Sequence, residues 1–285
     1  MQNPTAYRNV DRIIDGTPAS DGRGVKLYRV LGQPSLMELD PFLLLDEFRS
    51  DKASDYIGGF PDHPHRGFQT VTYMLAGRMR HKDNQGHEGV LEPGGIQWMN
   101  AGRGIVHSEM PEQEAGLLHG FQLWVNLPAA EKMSQPFYSE FGRDEIPVEE
   151  KNGSEIRVIA GAIENGVAGP VTGIAGNPLY LDVHLQAEAA FEQDITSGHN
   201  AMLYLYEGSA DLESSPETLQ IAKGQLATFH REGDAVRLTA GNSGCRFLLL
   251  ACAVLEEPVA RYGPFVMNTE SEIRQAIRDY SSGKF

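Results

Sequence analysis

The sequence predicts an all-β protein of two tandem barrels or sandwiches, ended by one short helix. Three observations carry this. Short runs rich in β-branched and aromatic residues recur between turn clusters, the spacing of strands in a barrel or sandwich. At 285 residues the chain exceeds the usual size of a single core, so two domains of about 100 to 200 residues are expected. The halves also form a weak repeat: Tyr73-Met74-Leu75-Ala76-Gly77 aligns with Tyr204-Leu205-Tyr206-Glu207-Gly208 at an offset of 131, and Gly95 then falls near Gly224. The polar stretch from Ser134 to Gly153 reads as the linker, dividing the chain into residues 1–133 and 134–285.

In chain order, Gly58-Gly59-Phe60-Pro61-Asp62 is turn-forming, and Gln69-Thr70-Val71-Thr72-Tyr73-Met74-Leu75 has strand composition. A strand from Tyr73 to His81 enters a hairpin closed by Asp83-Asn84-Gln85-Gly86. Leu91-Glu92-Pro93-Gly94-Gly95 breaks the chain before a strand at Ile96 to Asn100, and Phe121 to Val125 is another. The second series comprises Glu155 to Ala160, Leu179 to Leu185, Ala201 to Glu207, Leu226 to Phe229, Ala235 to Thr239 and Arg246 to Leu255. Thr269 and Glu272 form a capping box for the final helix, whose Ile273, Ile277 and Tyr280 make an apolar stripe.

Two i, i+2 pairs of metal-binding side chains stand at strand starts: His63-Pro64-His65, and His107-Ser108-Glu109 after the bend Gly102-Arg103-Gly104-Ile105-Val106. Residues two apart on a strand point the same way, so neighbouring strands can aim three imidazoles and one carboxylate at one ion. Imidazole suits Fe, Zn, Cu or Ni, and a mixed nitrogen and oxygen shell with open positions is the habit of non-haem Fe(II) sites. The repeat places Asp194, Thr196 and about Leu238 where the first half has His63, His65 and His107, so the second half is expected to hold no metal. His184, His199 and His230 occupy no ligand position. His81 and His87 flank the hairpin turn and are expected in solvent; His119 is expected near the pocket rim.

Gly104-Ile105-Val106-His107 and the H-x-H segment resemble the cupin signatures. The run from Gly59 to Phe68, through Gln97-Trp98-Met99-Asn100-Ala101-Gly102 to Met110-Pro111, is similar to the pirin family of two-domain cupins, as are Asp40 to Phe48, Gln122 to Pro128 and Gly263-Pro264-Phe265-Val266-Met267-Asn268-Thr269. The resemblance implies two cupin-type jelly-roll β-barrels in tandem, the first holding one divalent metal on His63, His65, His107 and Glu109. It implies Fe(II), with Ni, Cu, Zn or Mn as other occupants, and a dioxygenase of the quercetin 2,3-dioxygenase type in which Glu109 is also the catalytic base. Flavonol and O2 are the implied substrates. The alternative it implies is a non-enzymatic iron or redox sensor that binds a transcription factor or metabolic enzyme. One position departs from the pattern: four residues after His65, where the general signature has Glu, stands Gln69, a neutral amide that would alter the local field.

Composition narrows the classes. A net charge of −15 argues against direct nucleic-acid binding, which relies on Lys and Arg neutralising phosphates. The longest apolar run, Phe247 to Leu255, is nine residues, short of the roughly 20 that a membrane span needs. Met1-Gln2-Asn3-Pro4-Thr5 lacks signal-peptide features, so the expected compartment is the cytoplasm. Cys245 and Cys252, an odd spacing apart, would point to opposite faces of one strand and form no disulfide.

Overall fold

A computed structural model of the protein describes residues 6–285; residues 1–5, read above for signal-peptide features, lie outside them. Among the described residues strands dominate and one α-helix, Glu270–Ser281, ends the chain, as expected of an all-β protein. No helix there is long and apolar enough to cross a membrane. The chain folds into two compact units that interleave in sequence: residues 17–143 join 255–285, and residues 6–16 join 144–254.

In the first unit, a larger antiparallel sheet runs in the order Phe137–Phe141, Ile96–Asn100, Phe68–Ala76, Leu118–Asn126, Phe42–Ser50, Val25–Leu31, Thr17–Asp21. A smaller sheet orders Phe60–His65, Ile105–Pro111, Met79–Asp83 and Glu88–Leu91. The two sheets share an apolar cluster, to which the larger contributes Leu27, Phe48, Met74 and Leu118 and the smaller Met79 and Leu91. Hydrogen bonding does not close this unit into a continuous barrel. The expected Tyr73 to His81 strand is two strands: Gly77, at φ +77°, turns the chain from the larger sheet into the smaller one.

The other unit is built on two long strands, His199–Leu212 and Ala235–Ala253. The second joins the two runs expected at Ala235 to Thr239 and Arg246 to Leu255. Both strands shift register near Gly208, where a Cβ would lie 2.1 Å from the Gly244 carbonyl oxygen, so each half can pair with different neighbours. The core here includes Leu181, Val183, Leu203, Leu205, Phe247 and Leu249. Cys245 and Cys252 are buried thiols that form no disulfide. The polar stretch 134–153 is partly strand: Phe137–Phe141 pairs with Ile96–Asn100, and Val148–Lys151 with Ser154–Ala160. Both are end strands of their sheets, where polar residues are the rule, and so resemble a linker in composition.

The C-terminal segment supports the first unit. Thr269 and Glu272 form the predicted capping box. The helix buries Ile273 and Ala276, with Tyr280 near Phe265 and Phe285, whereas Ile277 lies outside the buried face. Arg66, buried directly after the H-P-H segment, pairs with Asp279 at 2.9 Å, donates from Nε to the Arg103 carbonyl and lies 4.3 Å over the Phe285 ring. Its role here is structural, tying the H-P-H segment to the C-terminal helix.

Arg66→Ala is expected to destabilise the metal-free protein by about 2–3 kcal/mol, below the usual cost of breaking a fully buried pair because Asp279 is partly exposed. Hydrogen bonding to Arg66 holds the Asp279 carboxyl below its ordinary range. A carboxyl whose pKa falls on folding contributes fully above its unfolded value near 3.9 and loses that contribution as pH drops through the folded value. Thermal melts should therefore show the gap between wild type and variant narrowing in acid; a constant gap from pH 7 to pH 2 would remove the ion pair from the account.

Candidate metal centre

Strands Phe60–His65 and Ile105–Pro111 are antiparallel neighbours with His107 directly opposite His63. Period-2 alternation then puts His65 beside His63 on one face, and Glu109 beside His107 after a one-residue register shift. The three rings converge, with centroids 4.7 Å (His63–His65), 4.3 Å (His63–His107) and 5.0 Å (His65–His107) apart. One nitrogen from each lies within 4.8 Å of the others, the arrangement of a site that could hold a metal ion.

The chemistry of the donors fits such an ion. His65 Nδ1 and His107 Nε2 are buried without a hydrogen-bond partner. Burial, reinforced by the other histidines, pushes both pKa values well below the ordinary imidazole range, which keeps the rings neutral at pH 7. Neutral imidazole is the form that coordinates. His63 Nδ1 is held 2.8 Å from the Pro61 carbonyl, leaving Nε2 for the cluster.

Glu109 is buried, and its carboxylate is fixed from the facing sheet. Thr72 Oγ1 lies 2.6 Å from Oε1, and Gln122 Nε2 donates to Oε2 at 2.9 Å. Thr72 and Gln122 are cross-strand partners, so one face of that sheet delivers both. Gln69 lies three residues from Thr72 on the same strand, and alternation turns it to the opposite face. The expected effect of Gln69 on the field of the site is therefore corrected: the groups that meet Glu109 are Thr72 and Gln122.

His63, His65, Glu109 and Gln122 line a cavity of about 490 Å³, walled by Leu44, Phe48, Phe60 and Trp124. Trp124 packs edge-on to His65 at 5.2 Å and carries the Arg261 guanidinium 5.1 Å over its ring. A larger cavity, about 630 Å³, lies in the other unit between acidic residues such as Glu149, Glu164 and Asp194; it contains no histidine or cysteine. The smaller one is the cavity that His63 and His65 of the cluster line.

Three further residues escaped the sequence reading. His81 is buried, not solvated, with Nε2 3.1 Å from His107 Nδ1. Its signal was present: in Met79-Arg80-His81-Lys82-Asp83, Arg80 and Lys82 face solvent, so His81 faces inward with Met79 and Asp83. His87 is exposed, as expected, and pairs with Asp83 at 2.7 Å. His119 is buried against Glu47 at 2.7 Å instead of standing at the rim. Lys132 is buried, its pKa pushed down to about 8 by desolvation, and its Nζ donates to Gly67 O, Asn126 Oδ1 and Val266 O. That ammonium ties the C-terminal strand to the backbone two residues beyond His65. Gly67 sits at φ +84°, and a Cβ there would fall 2.0 Å from the Val266 carbonyl oxygen.

Comparison with known proteins bears on the family and the fold. The chain matches the Pirin family over residues 24–125 and the Pirin C-terminal cupin domain over residues 180–285. It is 54% identical over 279 residues to a pirin-like protein of Caulobacter vibrioides, covering 98% of this chain and 99% of that one. Human pirin is 43% identical over 268 residues, covering 93% and 89%. A crystal structure of quercetin 2,3-dioxygenase from Acinetobacter baumannii superposes with a TM-score of 0.89 at 32% identity, covering 98% and 99%. With both cupin domains matched in order and close relatives spanning its whole length, the chain belongs to the pirin family.

Proposed function

We propose that this chain is a metal-dependent dioxygenase of the quercetin 2,3-dioxygenase type, with His63, His65, His107 and Glu109 holding one divalent ion and a flavonol as substrate. The convergence of three imidazoles beside a cavity that also presents a fixed carboxylate carries the reading. The cavity volume falls within the roughly 300–1,000 Å³ of small-molecule sites, and its Trp and Phe walls suit a planar aromatic ring. The likeness to the Acinetobacter baumannii enzyme over nearly the whole chain supports the same class.

Three nitrogens and one carboxylate oxygen favour Fe(II) as the working ion, while Ni, Cu or Zn can occupy the same donors in purified protein because affinity climbs from Fe(II) through Ni to a maximum at Cu before falling at Zn. When bound, such an ion supplies Lewis acidity that lowers the pKa of a substrate hydroxyl, and open positions for substrate and O2. The protein's part is to hold and to accept. Glu109 takes the proton from the flavonol hydroxyl, and Thr72 and Gln122 hold its carboxylate in place to receive it. Trp124, Phe48 and Leu44 exclude water from the face of the ring.

Anaerobic reconstitution with Fe(II), followed by oxygen uptake with a panel of flavonols, tests the assignment. Turnover well above that of free Fe(II) is expected. If no flavonol is consumed, while affinity capture recovers one specific protein in a single iron oxidation state, the role is regulatory and the enzyme reading falls.

A further inference from the structure

His81 stands outside the proposed ligand set yet touches it. Its strand, Met79–Asp83, pairs with Ile105–Pro111 so that His81 lies opposite Glu109, and its Nε2 reaches diagonally to His107 Nδ1 at 3.1 Å. The ring is held flat against Tyr138 at 5.1 Å and 14°, and Tyr138 is stacked on its own account with His87 at 5.4 Å and 13°. His81 is therefore a fixed partner, not a side chain free to swing away.

Between two neutral imidazoles only one hydrogen can occupy the shared line. If His81 Nε2 carries it, His107 Nδ1 accepts and the hydrogen of His107 sits on Nε2, the buried atom without a partner. A ring in that state cannot coordinate through Nε2. If His107 Nδ1 carries the hydrogen, Nε2 keeps its lone pair and can bind. The second arrangement requires an acceptor at Nδ1, and the residue standing there is His81.

We propose that His81 is a positioning residue that accepts the Nδ1 hydrogen of His107, selecting the tautomer whose Nε2 lone pair is offered to a divalent ion. The inference rests on His107 being a ligand. Such outer partners commonly contribute 10- to 100-fold to metal affinity, and here an imidazole takes the place usually filled by a carboxylate or carbonyl. The buried His81 Nδ1, which has no partner, is left carrying a hydrogen in the ligand-competent state.

Zn(II) affinity, measured by competition with a chromogenic chelator, tests this without reference to activity. His81→Leu is expected to weaken Zn(II) binding by roughly 10- to 100-fold. His81→Gln, which can still accept from Nδ1, should stay within a few-fold of wild type. In 15N spectra of the Zn(II)-loaded protein, His107 should show a hydrogen-bonded Nδ1–H in wild type and in His81→Gln, and lose that signature in His81→Leu. If His81→Leu binds as wild type does, or if Leu and Gln weaken binding equally, the tautomer role is overturned and His81 only packs. His107→Ala separates the two levels: unchanged affinity in that variant overturns the ligand assignment itself.

Discussion

His65→Ala should leave the protein without bound metal after dialysis against a chelator, while His184→Ala, His199→Ala and His230→Ala retain wild-type content. His65 Nδ1 is buried with no partner, and its ring sits between His63, His107 and Trp124. Removing it takes away one of four proposed donors and opens a gap that no neighbouring ligand can fill, so affinity should fall by at least about 10², a share of the roughly 10–16 kcal/mol that zinc sites provide. The control histidines lie in the other unit. His184 and His230 are exposed on its surface, and the His199 carbonyl accepts from Arg8 Nη1. Elemental analysis of the four variants reads the result. Two ions per chain in well-washed wild type would assign a second site to that unit.

Glu109→Gln should keep part of its metal through the three histidines and lose turnover per bound ion by about 10² or more, the scale of a removed acid–base group. The substitution is tolerable in the fold. Thr72 can still donate to the remaining oxygen, and rotation of the Gln122 amide presents its own oxygen to the new NH2. What is lost is charge and basicity, with Gln69 turned to the other face and unable to substitute. Normalising turnover to iron content separates the two roles: near wild-type activity per iron would make Glu109 at most a ligand.

The ligand pairs were legible because strand alternation is a local rule. His63 and His65, or His107 and Glu109, need only two strands to be adjacent, and the register provides that. The strands Ile96–Asn100 and Leu179–Leu185 match their expected bounds because turn residues delimit both. The supports of the site were harder to see. Thr72, Gln122 and Trp124 come from a second sheet, and their convergence depends on how two sheets face each other, which no local pattern encodes. His81 was readable but was overridden by its closeness to a turn, although the alternation around it pointed inward. Sequence order also conceals that the C-terminal strand and helix buttress the first unit, with Val266 tied to Lys132 and Asp279 to Arg66.

Isotope labelling shows whether the proposed His63, His65, His107 and Glu109 centre inserts dioxygen into a flavonol. Protein reconstituted with Fe(II) and freed of excess metal would be given the best flavonol of the panel under 18O2, and the product analysed by mass spectrometry. Both oxygen atoms of one O2 molecule should appear in the ring-opened product, with the yield proportional to bound iron and absent in His65→Ala. Product formed equally by His65→Ala, or oxygen drawn from water instead of from 18O2, would contradict the account.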